Sequence, residues 1–118
     1  MKENILKDKS FGFAIRIIEL FKYLKVNQQE YVLSKQILRS GTAIGASIRE
    51  AEFAESSKDF IHKLSISLKE ASETKYWLEL LVAGNFIEEK LFQSFVSDCD
   101  EILKILVSSI NTSKKKLS

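Results

Sequence analysis

The stretch LRSGTAIGASIREAEFAE, residues 38–55, decides the fold. Ile44, Ile48 and Ala51 recur at spacings of four and three, the period of one helix face. Gly41 and Gly45 interrupt that face, although a glycine inside a helix costs about 1 kcal/mol relative to alanine. Being four apart, they sit one above the other, and Ser40 and Ala46 keep the surroundings small. The result is a shallow groove that admits another helix backbone or a large ring. The bulkiest patch of the chain, Tyr76-Trp77, is the expected filler, since an aromatic ring buries ~150–250 Å².

Working outward, the same period appears three more times. Phe11, Ala14, Ile17, Ile18, Phe21 and Leu24 predict a helix over about 10–26, and Leu33, Ile37, Ile44, Ile48 and Ala51 one over about 31–54. Phe60, Leu64, Leu68, Ala71, Leu78 and Leu81 predict a third over 57–83. Its start carries Ser56 and Asp59 in a capping arrangement, and Gly84-Asn85 supplies a glycine stop. The fourth, over about 88–111, shows Leu91, Phe95, Cys99, Ile102, Leu106 and Ile110, with Phe92, Val96, Leu103 and Val107 widening the stripe. The basic tail 112–118 has little to bury and is expected to fray. Short polar connections make sequence neighbours antiparallel, so an up-down-up-down four-helix bundle in a single all-α domain, residues 1–118, is the expected architecture. The stripes are wider than one bundle core needs, and the excess predicts self-association.

Composition supports long helices. The chain has 118 residues, no proline and four glycines, so it lacks the punctuation an all-β fold uses. Eighteen basic against sixteen acidic residues leave a net charge of +2, too balanced for nucleic-acid binding by bulk charge. A polyanion site would have to come from local clustering, or from one patch repeated around an oligomer. The single Cys99 cannot form an intramolecular disulfide. No apolar run reaches the ~18 residues a membrane span needs, and MKENILKDKS is no signal peptide, so a cytoplasmic location is expected.

Catalytic chemistry finds little support. A phosphate loop needs G-x-x-x-x-G-K-[ST] after a strand, whereas Gly45 is followed by Ala46-Ser47. Glu50, Glu70 and Glu73 on apolar helices resemble part of a di-iron site, but such a site takes two Glu-x-x-His motifs and His62 is the only histidine. Cys99 falls on an apolar row with no base in evidence, so it reads as a small hydrophobe. Arg49, Lys69 and Lys75 are placed to pair across helices with Glu50, Glu70 and Glu73. No catalytic residue, cofactor, metal or small-molecule substrate is expected, and the protein is read as non-enzymatic.

The segments KSFGFAIRII (9–18), QILRSGTAIGASIREAEFAESSKDFIHKL (36–64) and LKEASETKYWLELL (68–81) carry a resemblance over nearly the whole chain. They resemble the four-helix-bundle proteins encoded within intervening sequences of bacterial 23S ribosomal RNA genes. The resemblance implies a left-handed bundle that assembles as a ring-like homopentamer. Relatives of that family include the accessory variability determinant of diversity-generating retroelements, a pentameric nucleic-acid-binding partner of a reverse transcriptase. It implies no catalytic activity. The matching positions are Ser40, Gly41, Thr42, Ile44, Gly45, Glu50 and Ala51 with Glu70, Glu73, Thr74, Tyr76 and Trp77, and they read as a packing and subunit-contact motif. Ala43 stands where the family often has serine and Ser47 where it usually has asparagine, which removes or shrinks a polar group at each.

Two functions follow as expectations. The first is an oligomeric bundle that binds RNA, DNA or a ribonucleoprotein through basic faces repeated by symmetry, with Lys35, Arg39, Arg49 and Lys69 as phosphate contacts. The alternative is a scaffold or adaptor that meets a protein partner through its apolar excess.

Overall fold

Glu30 opens the second helix: its carboxylate accepts hydrogen bonds from the backbone amides of Val32, Leu33 and Ser34 at 3.1, 3.0 and 2.7 Å. These amides have no intrahelical partner, so a side chain must satisfy them. The structure, a computed structural model, describes residues 2–117. It contains α1 (Lys2–Val26), α2 (Leu33–Ala51), α3 (Ser57–Ala83) and α4 (Glu89–Leu117), with no strand among the described residues.

The helix ends differ from those expected. α1 begins eight residues before Ser10, because Leu6 continues the inward row and is 1% exposed. Ser10 is therefore buried in mid-helix, its hydroxyl donating to the Lys7 carbonyl at 3.2 Å, rather than standing at a start. α2 stops at Ala51, and Glu52–Ala54 turn towards α3 through hydrogen bonds back to Arg49, Glu50 and Ala51. The expected fraying tail is helical as far as Leu117; Lys114–Lys116 occupy the last turn, where cations oppose the negative end of the helix dipole.

At α3 the Ser56 hydroxyl accepts from the Asp59 amide at 3.1 Å. The Asp59 carboxylate reaches back to the Glu55 amide instead of the Ser56 amide. The stop of α3 is made by Asn85, which takes the left-handed conformation (φ 64°), while Gly84 keeps a negative φ. The Phe86 amide then closes on the Leu81 carbonyl at 2.9 Å, as in a Schellman motif.

Each helix packs against two others: α1 on α2 and α4, and α3 on α2 and α4. Particular residues mark where each pair of helices meets. Gly45 lies beside Ser10 and Gly41 beside Ile17; Ser40 meets Thr74, Ile44 meets Ser67 and Glu50 meets Lys63; Ala71 meets Cys99 and Lys75 meets Asp100; Lys9 meets Glu101 and Arg16 meets Asp98.

The core is formed by Ile17 and Leu24, Ile37 and Ile44, Leu64 and Leu78, and Ile102 and Leu106, all 2% exposed or less. In α1 the row facing the core is Leu6, Phe13, Ile17, Leu20 and Leu24. Phe11, expected inward, is 57% exposed and Phe13 is buried instead, its ring 6.1 Å from that of Phe95. The apolar arc of α1 spans both rows, so periodicity does not choose between them. Packing against α4 does.

Candidate functional site

Gly41 and Gly45 do form a close approach, but its filler is α1. A Cβ on Gly41 would stand 2.7 Å from Ile17 Cγ1, and one on Gly45 would stand 3.2 Å from Ser10 Oγ. Tyr76-Trp77, expected there, lies on the α2–α3 side of the molecule. The two faces of α2 are thus divided: the glycines serve α1, and Ser40 and Ile44 meet α3.

The α2–α3 seam holds a buried polar ladder. Ser67 donates to the Ile44 carbonyl at 2.9 Å. Thr74 Oγ1 stands 2.9 Å from Ser40 Oγ and 2.8 Å from the Glu70 carbonyl oxygen. Each hydroxyl has one proton, so both contacts are satisfied when Ser40 donates to Thr74 and Thr74 to the carbonyl. Thr42 is spent within its own helix, donating to the Leu38 carbonyl at 2.7 Å.

Above the ladder the seam is charged. The Arg39 guanidinium lies 4.0 Å from Glu70 and 3.9 Å from Glu73. Glu73 also accepts from Trp77 Nε1 at 3.0 Å, and the Tyr76 and Trp77 rings are 5.2 Å apart at an angle of 57°. The ion pairs differ from those expected. Glu50 pairs with Lys63 at 3.0 Å and Lys75 with Asp100 at 2.7 Å, while Arg49 stands over the Phe11 ring, 5.7 Å from its centroid. Hydrogen bonding to Asp100 raises the pKa of Lys75, and hydrogen bonding to Glu50 raises that of Lys63.

Of the four expected phosphate contacts, all are exposed, but they do not share one environment. Lys35 and Lys69 make no ion pair among the described residues, Arg39 is braced by two carboxylates, and Arg49 faces α1. Around Arg49 lies a second feature that the sequence reading did not place. It is an open groove between α1 and α2, lined by Phe11, Ala14, Thr42, Gly45 and Ala46, with Lys7 and Arg49 at its edges. Its sequence signal was the pair of apolar rows in α1, one of which had to face outward.

Cys99 is fully buried, and its thiol lies 3.4 Å from the Ala71 carbonyl. Burial pushes the thiol pKa from 9.0 up to about 12. The folded protein holds the proton more tightly than the unfolded chain. Cys99 therefore takes nothing from stability below pH 9, and its burial lowers stability as pH rises through the window from 9.0 to about 12. A Cys99→Ala variant should lose this alkaline slope in urea titrations. Native Cys99 should also resist a thiol reagent at pH 8 until denaturant is added, because both thiolate formation and access are suppressed. Stoichiometric labelling of the folded protein would contradict the burial.

No group of three or more metal-binding side chains occurs among the described residues, and no described helix is long and apolar enough to cross a membrane. The molecule belongs to the class of all-α, four-helix proteins, with a small-residue seam on one side of α2 and a polar seam on the other. The model of the 23S rRNA-intervening sequence protein family matches residues 2–108, and the chain belongs to this family. A crystal structure of a protein with unknown function from the S23 ribosomal protein family of Bacteroides thetaiotaomicron is similar over 94% of this chain and 99% of that one. It is 57% identical, with a TM-score of 0.93. No curated protein matches the chain.

Proposed function

We propose that the protein is a non-enzymatic, self-assembling helical bundle that binds RNA in the cytoplasm through cationic faces repeated by symmetry. The single domain is read as an antiparallel up-down-up-down bundle. Descending registers between α1 and α2, α2 and α3, and α1 and α4 support this, as when Ser10 and Ile17 pair with Gly45 and Gly41. Left-handed winding and a homopentameric ring are what the resemblance to the family implies. A ring needs a head-to-tail interface made by two different patches. The exposed α1–α2 groove, with Phe11 and Ile15 beside it at 57% and 46% exposure, is one apolar patch suited to that role.

The observation that carries the RNA reading is the pair of uncompensated cations. Lys35 and Lys69 are exposed and unpaired among the described residues of a chain with a net charge of only +2. Repeated around a ring, such charges become a track for phosphates, and counterion release makes their binding steeply salt-dependent. The test is fluorescence anisotropy with a labelled structured RNA at two salt concentrations. Lys35→Glu combined with Lys69→Glu should weaken binding at least about tenfold and flatten the salt slope, with the elution volume of the assembly unchanged. This pair is cleaner than reversal of Arg39, which would set a third carboxylate beside Glu70 and Glu73. If the parent protein binds no RNA at low salt, the reading falls. The same apolar groove then favours the second reading, an adaptor for a protein partner.

A further inference from the structure

Tyr76 is an exposed aromatic ring held on rigid supports. Its residue is 52% exposed, two turns before the end of the 27-residue helix α3. Behind it stands Trp77, half-buried, whose indole is fixed by the hydrogen bond to Glu73. Glu73 is in turn balanced by Arg39 from α2. A ring with two rotatable torsions on a helix, leaning on a second pinned ring, loses little freedom when something flat is laid on it. Water is a poor neighbour for that face.

The ring also stands in line with a cation. Lys69 precedes Tyr76 by seven residues, so the two project from the same side of α3 about 10 Å apart along its axis. Lys69 is exposed and without an ion pair among the described residues. Glu70, which could repel phosphate here, is turned inward with its side chain 18% exposed, and Arg39 lies against it. An aromatic face with a cation along the same side is the chemistry by which proteins hold single-stranded nucleic acid: bases stack on rings while the backbone follows the charges. A duplex offers no unstacked base to a ring on a convex helix.

We infer that Tyr76, backed by Trp77, is a base-stacking platform, and that the RNA recognised by this protein is single-stranded at α3, with Lys69 taking its phosphate. The inference rests on the RNA-binding reading and specifies the form of RNA. It makes Tyr76 a binding residue, where the sequence motif alone reads as packing.

The probe is a fluorescein-labelled oligouridine of about 12 nucleotides, a length within the usual site sizes of single-strand binders. Trp77 is the only tryptophan in the chain, so its emission reports a base stacked on Tyr76 without any added label. Oligouridine should quench Trp77 and bind the parent protein in a salt-dependent manner. Tyr76→Ala should weaken that binding roughly tenfold, Tyr76→Leu nearly as much, and Tyr76→Phe by less than about twofold, because only the π face is needed. Tyr76→Leu retains apolar packing on Trp77, and circular dichroism of each variant checks that α3 is intact. If Tyr76→Ala binds oligouridine like the parent while the Lys35→Glu, Lys69→Glu variant does not, stacking is overturned and phosphate contact stands. Binding of duplex but not of oligouridine overturns the single-strand inference alone. No binding of either RNA overturns both.

Discussion

Gly41→Leu should destabilise the protein by roughly 3 kcal/mol and lower its melting temperature by about 10 °C or more. The reason lies in one contact. A Cβ at position 41 would stand 2.7, 2.9 and 3.0 Å from the three outer carbons of Ile17. Ile17 is completely buried and β-branched, so it has no spare rotamer to retreat into. Even Gly41→Ala should be destabilising, because overpacking outweighs the ~1 kcal/mol that alanine adds as a better helix former. The two effects have opposite signs, which makes the outcome diagnostic. Ile17→Ala should partly rescue Gly41→Leu, with a coupling of about 1–3 kcal/mol in a double-mutant cycle read by urea denaturation. A Gly41→Leu variant that melts with the parent would mean that α1 and α2 are not in contact there.

Thr74→Val should cost about 1–3 kcal/mol, although the two side chains have nearly the same shape. Thr74 and Ser40 are both fully buried and are each other's partner across the α2–α3 seam. Valine removes the acceptor and strands the Ser40 hydroxyl, which no water reaches. Ser40→Ala in the same background should recover most of the loss, since an apolar pair leaves no unsatisfied group. Thermal melts of the two single variants and the double variant measure this. Additive losses would show that the two hydroxyls are not partners. Ser34 makes the same point from the other side: its hydroxyl is buried with no hydrogen-bond partner. Burial of serine here is therefore not enough; the partner decides whether the hydroxyl stabilises.

Much of the architecture was legible because it depends on local rules. The existence of four helices follows from periodicity and from the lack of proline, and the Ser56 cap follows from local hydrogen bonding. The misread ends have equally local causes. Glu30 caps α2 from three residues before Leu33 with a long side chain, a reach that the usual Ser, Thr, Asp and Asn signals do not cover. Asn85 shares with glycine a tolerance for the left-handed conformation, and Gly84-Asn85 leaves open which of them turns. Ser10 looks like a start because serine favours caps, yet it stands mid-helix as a small residue beneath Gly45.

The candidate site was less legible. Lys35 and Lys69 are exposed as expected of solvated lysines, but their lack of partners depends on where every carboxylate of the neighbouring helices falls. Arg39 illustrates the difference. In sequence it is one more cation of α2, and in the structure it faces Glu70 and Glu73, more than thirty positions away.

By itself the sequence determined that this chain makes four helices, which residues of α2, α3 and α4 are apolar enough to be buried, that two glycines demand a close neighbour, and which family the motifs resemble. All but the family resemblance depend on spacings shorter than two helical turns, where backbone geometry alone relates one residue to the next. Only the tertiary structure decided that the neighbour of Gly41 is Ile17, that Phe13 rather than Phe11 enters the core, and that Tyr76 stands outside on a pinned tryptophan. Those choices are made between helices, where several faces are apolar enough to be buried and the one selected is the one whose shapes interlock.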